Sequence, residues 1–390
     1  MRADVTVLHM GDAKTSALKV LIPGSTKWQD VTDTADDPGA AAIASSSLAA
    51  YSSENLVVLL GLGTSLGLEG QNGAAAPSMW DLLKRVENLD GFDRARSLVP
   101  ANEKQGDVEV LLSVCQMHFA LTSDSEVGSF LVNAENEVLE ACRFIDSTTD
   151  LSSHEALLRK IGRRPTRLSR AQIFTTNYDL AIEHAARSTR FTLIDGFGPT
   201  AGGLFDGGNF DLDIVRRDPS GSLLLAPNVV QLYKLHGSVD WTEDDDGVRR
   251  SSVPSTPVLI YPSSMKYQQS YRLPYLESMA RFQMTLRRPD TTLIVAGFGF
   301  NDAHLTAPIM SAVQSNVSLR MIVVDPVLVA EGDDHETRDR LRRLVSSGDN
   351  RILLVAGKFG DYVAALPDVN PPDIGEVHSE RYRASQVGAT

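Results

Sequence analysis

Four short polar segments follow apolar runs in this chain: G-L-G-T-S at 61–65, T-T-N-Y-D at 175–179, K-L-H-G-S at 234–238 and G-F-G-F-N-D at 297–302. Each holds residue types that can do chemistry. Gly61 and Gly63 permit close backbone approach, and N–H groups at a helix start, here with Thr64 and Ser65, favour an anion. Thr175, Thr176, Asn177 and Asp179 would face the crevice beyond the carboxyl end of a strand, where ligands of open α/β sheets bind. The same residue types cap helices, so this segment reads equally as the cap of the helix that follows. His236 stands at a strand end before a glycine; an imidazole suits proton transfer near neutral pH, although a lone histidine is commonly structural. Gly297 and Gly299 repeat the glycine turn of the first segment, and Asn301 or Asp302 would cap the next helix. Asp325 ends a further apolar run, where a carboxylate can accept hydrogen bonds from ribose hydroxyls or simply form a turn.

The elements that must position these groups alternate in the α/β manner. Continuous apolar runs at 55–60, 258–261, 292–296, 319–324 and 351–355, with a short run at 191–194 and an alternating one at 229–235, predict buried strands of a Rossmann-like parallel sheet. Apolar residues at helical spacing predict helices over 180–187, 271–287, 336–344 and 359–366. Residues 77–165 are mostly helical, with Met79, Trp80, Leu82 and Leu83 on one apolar face, and form an insertion between the first two sheet strands. The expected organisation is an N-terminal extension over 1–54, one domain over 55–366 and a polar, proline-containing flexible tail over 367–390. Within the extension, 5–9 and 18–22 read as short strands and 36–53 as a linker or weak helix. Residues 202–209 read as a mobile glycine-rich loop. Arg159, Lys160, Arg163, Arg164, Arg167 and Arg170 read as a solvated basic surface rather than a partner contact.

Composition narrows the function classes. The 390 residues suffice for a full core, and the net charge of -13 argues against broad nucleic-acid binding, which depends on Lys and Arg neutralising phosphates. No run approaches the ~18 apolar residues of a membrane helix, and the N-terminus lacks a signal-peptide pattern, so a cytoplasmic protein is expected. Cys115 and Cys142 are the only cysteines, too few for a disulfide framework or a four-thiolate zinc site.

Taken in order, the four segments resemble the sirtuin family over residues of about 55–325. The wording I-F-T-T-N-Y-D-L-A, Y-K-L-H-G-S, L-I-Y-P-S-S-M-K-Y and G-F-G-F-N-D-A-H resembles more narrowly the sirtuin-like proteins of bacterial antiphage defence, in particular the subunit that partners a HerA-type ring ATPase. Two departures stand out. Protein-deacylating sirtuins carry a four-cysteine zinc module and a proline-aspartate-phenylalanine-arginine arm, and this chain has neither; Leu62 replaces the alanine usual between the two glycines.

The resemblance implies an NAD glycohydrolase, giving nicotinamide and ADP-ribose without a metal. Asn177 would position water or the ribose, His236 would bind ribose hydroxyls and act as general base, and Asp179 would fix the ribose or hold its neighbours. Gly61, Gly63, Thr64 and Ser65 would receive the pyrophosphate, Gly297, Gly299 and Asp325 would flank the adenosine half, and Thr176, Phe298 and Asp302 would complete the cofactor contacts. It also implies NAD depletion during phage infection, a large homo-oligomer, complex formation with a HerA-type ATPase, and contact with nucleic acid only through that complex. Two alternatives stay open: a non-catalytic scaffold that binds NAD or ADP-ribose, and an NAD-dependent protein deacylase. Lys266, Tyr267 and His304 match the narrower wording without an assigned task.

Overall fold

The computed structural model describes residues 18–32, 34, 36–101, 106–199, 203–254, 257–259, 273–330 and 335–368. Its centre is a nine-stranded sheet in the order 29–30, 19–21, 352–356, 320–324, 291–296, 55–60, 172–175, 229–234 and 192–194. The seven strands from Ile352–Ala356 to Thr192–Ile194 are parallel, as the continuous apolar runs predict, and the fold is α/β. The first of these in the chain, Asn55–Leu60, lies between Gln172–Thr175 on one side and Thr291–Ala296 on the other. Chain direction across the sheet reverses there, so the crevice at its carboxyl end is the topological switch point.

The strands are apolar throughout because both faces are covered. Val57, Leu59, Phe174, Leu293 and Val295 belong to one core, whereas Leu56, Val58, Leu60, Ile173 and Ile294 belong to the other. This is the two-residue period of a strand, and burying each such side chain fully is worth about 1.5–3 kcal/mol. Phe282 of helix Tyr275–Leu286, Ile309 of Ala303–Ser315 and Leu341 of Glu336–Ser346 cover the first face. Ile43 of helix Pro38–Ser52, Leu158 of Ser152–Gly162, Ala185 of Ala181–Thr189 and Tyr362 of Phe359–Ala365 cover the second.

Residues 18–54, expected as an extension, are built into this layer. Lys19–Leu21 pairs antiparallel with Ile352–Ala356, and Leu18, Val20 and Ile43 enter the second core. The weak helix expected near 36–53 is a full helix. Asp37 caps it by accepting from Ala40 N at 2.7 Å, and Pro38 supplies the preset first turn. The stretch 5–9 and residues 369–390 of the expected tail lie outside the described residues.

Helices Met79–Val86, Phe92–Ser97, Val108–Thr122 and Ser125–Ala141 lie in the chain between strands 55–60 and 172–175 and share a core that includes Leu83, Leu112, Phe130 and Val138. Helix Ser152–Gly162 instead covers the sheet. Two further regions depart from expectation. Residues 203–211 are not an open loop: Phe205 and Phe210 are buried, and Phe210 stacks on Tyr233 with centroids 4.1 Å apart. The antiparallel strands Gly237–Asp244, Gly247–Arg250 and Pro257–Leu259 form a second sheet, which single-run reading of the sequence did not separate from the first.

The basic run is only partly a solvated surface. Arg164 is buried and donates to the carbonyls of Tyr51, Ser53, Glu54 and Ser169. It joins the end of helix Pro38–Ser52 to the start of the central strand, and it satisfies the oxygens of the buried residues Tyr51 and Ser53. Replacing Arg164 with Met should therefore lower stability by about 2–3 kcal/mol in urea unfolding, the cost of stranding buried acceptors, whereas Arg167→Met should change it by less than about 0.5 kcal/mol.

Candidate active site

All four polar segments meet at the carboxyl edge of the sheet, after the adjacent strands Val229–Lys234, Gln172–Thr175, Asn55–Leu60 and Thr291–Ala296. Asp325 follows the next strand, Arg320–Val324. The two glycine turns lie against each other. Gly61 N donates to Ala296 O at 3.0 Å, and Gly63 N donates to Gly297 O at 2.9 Å. A Cβ on Gly61 would lie 2.5 Å from Gly297 O, and one on Gly297 would lie 2.6 Å from Thr64 N. Gly297 also has a φ of +63°, which disfavours any side chain.

This contact bears on the expected use of the first turn. The N–H groups of Gly61, Gly63, Thr64 and Ser65 donate to the carbonyls of Ala296, Gly297, Gly61 and Leu62. In this conformation a tight 3-10 turn and its neighbour consume donors expected for a pyrophosphate. The glycines bring backbone to backbone across the switch point.

Asn177 is held on this turn. Its Nδ2 is 3.1 Å from Gly61 O, 3.3 Å from Thr64 Oγ1 and 2.9 Å from Ser65 Oγ, while its own N–H donates to Thr175 Oγ1 at 3.0 Å. Three acceptors around the amide nitrogen fix which way the carboxamide points. Among the described residues, no hydrogen bond reaches its Oδ1. Thr176 is half-buried, with its N–H on Leu60 O. Asp179 combines the two readings of its segment: Oδ1 accepts from Ala181 N at 2.9 Å, as a cap does, and Oδ2 accepts from Ser65 Oγ at 2.7 Å.

His236 sits at the bend between two sheets, made possible by Gly237 at φ +88°. Its Nε2 lies 3.1 Å from Asp302 Oδ2, and both side chains are buried. Burial tends to raise the Asp302 carboxyl, but the hydrogen bond and charge of His236, with the N–H and charge of His304, outweigh it and hold Asp302 below the ordinary carboxylate range. An ionised Asp302 accepts, so Nε2 carries a proton, and the neutral tautomer compatible with this contact has its lone pair on Nδ1. The pair spans two intervening strands, 55–60 and 172–175. Sequence spacing offered no sign of it, because Asp302 also has the type and place of a helix cap and does cap Ala303–Ser315.

Asp325 likewise caps a turn, accepting from Val327 N at 3.0 Å, and its other oxygen is 3.4 Å from Gly299 N. Phe298 is buried against Phe300 at 5.5 Å between centroids, so its ring belongs to the core. Lys266 and Tyr267 lie outside the described residues.

Beneath Asn177 and Asp179 is a cavity of about 10 Å³, lined also by Ser65, Thr175 and His154. That is room for about one water. Sequence reading passed over His154, a lone histidine on a helix. It is buried against Phe359 at 5.0 Å between centroids, and its Nδ1 has no hydrogen-bond partner among the described residues. Burial pushes its imidazole down to about 4, against the pull of Asp179, so it is neutral at pH 7. A larger cavity of about 240 Å³ lies at the amino ends of the strands, around Gln172, Gln231 and Arg281, away from the four segments.

Among the described residues no cluster of His, Cys, Asp and Glu is arranged to hold a metal, and no helix is long and apolar enough to cross a membrane. The family model of the SIR2-like domain matches residues 171–348. The matched range includes the second, third and fourth polar segments; the first, at 61–65, precedes it.

Comparison with curated proteins gives no match. Among solved structures, a Sir2 enzyme studied for its mechanism and regulation is 12% identical with a TM-score of 0.37, covering 88% of this chain and 99% of that one. A mutant Sir2 homologue bound to ADP-ribose is 14% identical with a TM-score of 0.35, covering 87% and 96%. A Sir2 homologue bound to NAD is 15% identical with a TM-score of 0.33, covering 86% and 93%. At these low identities and scores, the fold of this chain rests on its own sheet.

The glycine contact makes a direct prediction. Gly297→Ala adds a side chain at positive φ and into backbone, and should cost about 3 kcal/mol or more in urea unfolding. A loss below about 1 kcal/mol would show that the two turns separate freely.

Proposed function

We propose that this chain binds NAD at the switch-point crevice and hydrolyses the bond between nicotinamide and ribose. The observation that carries the reading is the convergence on one sheet edge of a fixed Asn177 carboxamide, with its oxygen unengaged among the described residues, and a histidine whose tautomer a carboxylate sets. The SIR2-like match and the ordered motifs supply the substrate class.

The reaction asks the protein chiefly for placement. Nicotinamide leaves as a neutral amine from a cationic ring, so no general acid is required, and positive charge grows on the ribose as the bond breaks. The Asn177 oxygen dipole would stabilise that charge or orient the incoming water, the kind of preorganised contact that commonly contributes most to catalysis. Water adds to the anomeric carbon, His236 Nδ1 takes its proton, and Asp302 stabilises the imidazolium that results. The products are nicotinamide, ADP-ribose and one proton. Asp179 holds Ser65, and through it Asn177. The two glycine turns would form the floor under the diphosphate, with Gly299 and Asp325 beside the adenosine half; Thr176 is placed to contact the ribose side.

In its cellular setting we place this activity in antiphage defence by NAD depletion, in a large homo-oligomer with a HerA-type ATPase, on the strength of the motif wording. Such an activity has to be silent in healthy cells. The small cavity under Asn177 supports a closed resting site, since nicotinamide is several times the size of a water.

Nicotinamide release from NAD by the purified chain, alone and with the ATPase, tests the reading. Wild type should turn over in at least one condition, and Asn177→Ala and His236→Ala should each lose about 10²–10⁴-fold while remaining folded. Asp302→Asn should lose less, about 10–100-fold, because it disturbs the tautomer and not the base itself. Binding of NAD or ADP-ribose without turnover in every condition would assign the chain to the nucleotide-binding scaffold, and acyl transfer from a lysine peptide would assign it to deacylation.

A further inference from the structure

Lys234, the third residue before the glycine of K-L-H-G, is the last residue of its strand and lies opposite Thr175 in the neighbouring strand. Its side chain is 2% exposed. A buried ammonium costs several kcal/mol in desolvation unless its protons are satisfied. Here they are used in a particular way. Nζ donates to Tyr178 O at 3.3 Å, to Asp179 O in a shorter contact, and to Glu183 Oε1 at 3.3 Å. Two of its three partners are therefore main-chain oxygens of the Asn177 loop. Residues 176–180 form neither helix nor strand, so their path depends on such contacts.

Neighbouring contacts define the same path. Tyr178 O also accepts from Val239 N at 3.0 Å, and Ala181 N is held by Asp179. The carbonyls that Lys234 holds sit one and two residues beyond Asn177, and the Asp179 side chain reaches Ser65, a partner of Asn177. An ammonium is the one side-chain end that can donate to three acceptors at once in a compact space.

We propose that Lys234 is a positioning residue that clamps the loop carrying Asn177 and Asp179 against the Gly61–Ser65 turn. The inference rests on the glycohydrolase reading for its kinetic readout. It assigns the function to the two carbonyl contacts; Glu183 neutralises the buried charge. Burial raises the Glu183 carboxyl, and Lys234 opposes that rise, as expected of a counter-charge.

The test uses the full chain with Glu183→Gln, Lys234→Met and the double variant K234M/E183Q, followed by nicotinamide release, ADP-ribose binding by calorimetry and urea unfolding. Glu183→Gln should lower stability by leaving the buried ammonium without its counter-charge, yet it keeps an acceptor oxygen and both carbonyl contacts and should stay within about threefold of wild-type kcat. Lys234→Met should lose stability because it strands a buried carboxyl, and the double variant should recover most of that loss. Its kcat should nevertheless stay about 30–100-fold below wild type, a larger change than the rise of at most about tenfold expected in KM, the cost of a displaced catalytic group.

A double variant with restored stability and kcat within about threefold of wild type overturns the clamp, because a purely structural lysine behaves that way. So does a Glu183→Gln variant that loses kcat by about 30-fold or more, which would make the ion pair the working unit; this arm holds even if Lys234→Met does not fold. If wild type releases no nicotinamide, the glycohydrolase reading fails separately. The clamp is then judged on ADP-ribose affinity, which should fall about tenfold in the double variant and which, if unchanged, overturns it. Wild type that neither turns over NAD nor binds ADP-ribose overturns both.

Discussion

The close approach of two backbone turns, 61–64 and 297–298, is the constraint on which the site depends. At the switch point two strands diverge in connection while staying paired in register, from Thr291 opposite Asn55 to Ala296 opposite Leu60. Their loops must leave the sheet within about 5 Å of each other, the spacing of paired strands. Glycine at 61, 63 and 297 lets the turns touch and exchange a hydrogen bond instead of splaying. Because the turns touch, Gly61 O, Thr64 Oγ1 and Ser65 Oγ are presented as one fixed set of acceptors, and Asn177 has a place to dock. A single methyl group at Gly297 would disturb every contact in that set.

A second constraint comes from the helical insertion. Tyr178, next to Asn177, turns away from the sheet and into the insertion's core with Val239 and Leu259, and its hydroxyl lies 3.4 Å from Glu109. The Asn177 loop is thus pinned on both sides, by the glycine turn beneath and by the insertion above. This gives the described helices between 79 and 141 a structural task at the sheet edge. A shift of the insertion would be transmitted first to Tyr178 and through it to Asn177.

Much of this architecture was legible in the chain. Apolar runs such as 55–60 and 292–296 announce strands buried on both faces, since half-exposed strands would alternate. Glycine, asparagine and histidine after such runs mark the functional edge. The rest was hidden for identifiable reasons. Strands of two or three residues, such as Gln29–Asp30 and Lys19–Leu21, are too short for periodicity, so the antiparallel edge looked like an extension. Arg164 reads as one charge among several until its four carbonyl partners are seen. The His236–Asp302 pair joins residues 66 positions apart across two strands, and Asp302 was already accounted for as a cap. The backbone donors of the first glycine turn are used within the fold in this conformation, an outcome set by tertiary pairing and invisible in local sequence.

These contacts also describe how the site rests. Several polar groups at the sheet edge hold one another: the Asn177 amide nitrogen and the glycine turn, Ser65 and Asp179, His236 and Asp302, Lys234 and the loop carbonyls. The His236–Asp302 pair crosses above the two strands that carry Gly61 and Asn177, and only about 10 Å³ remains beneath Asn177. A dinucleotide cannot be added to such a site without exchanging some of these bonds. The cheapest to exchange are those whose partners a ribose or phosphate can replace in kind: a hydroxyl for Ser65, a hydroxyl or water for the Asp302 contact of His236. The Lys234 and glycine contacts are main-chain bonds with no counterpart in the ligand, and they stay. The division separates a frame held through main-chain oxygens from a small set of side chains that pair with one another.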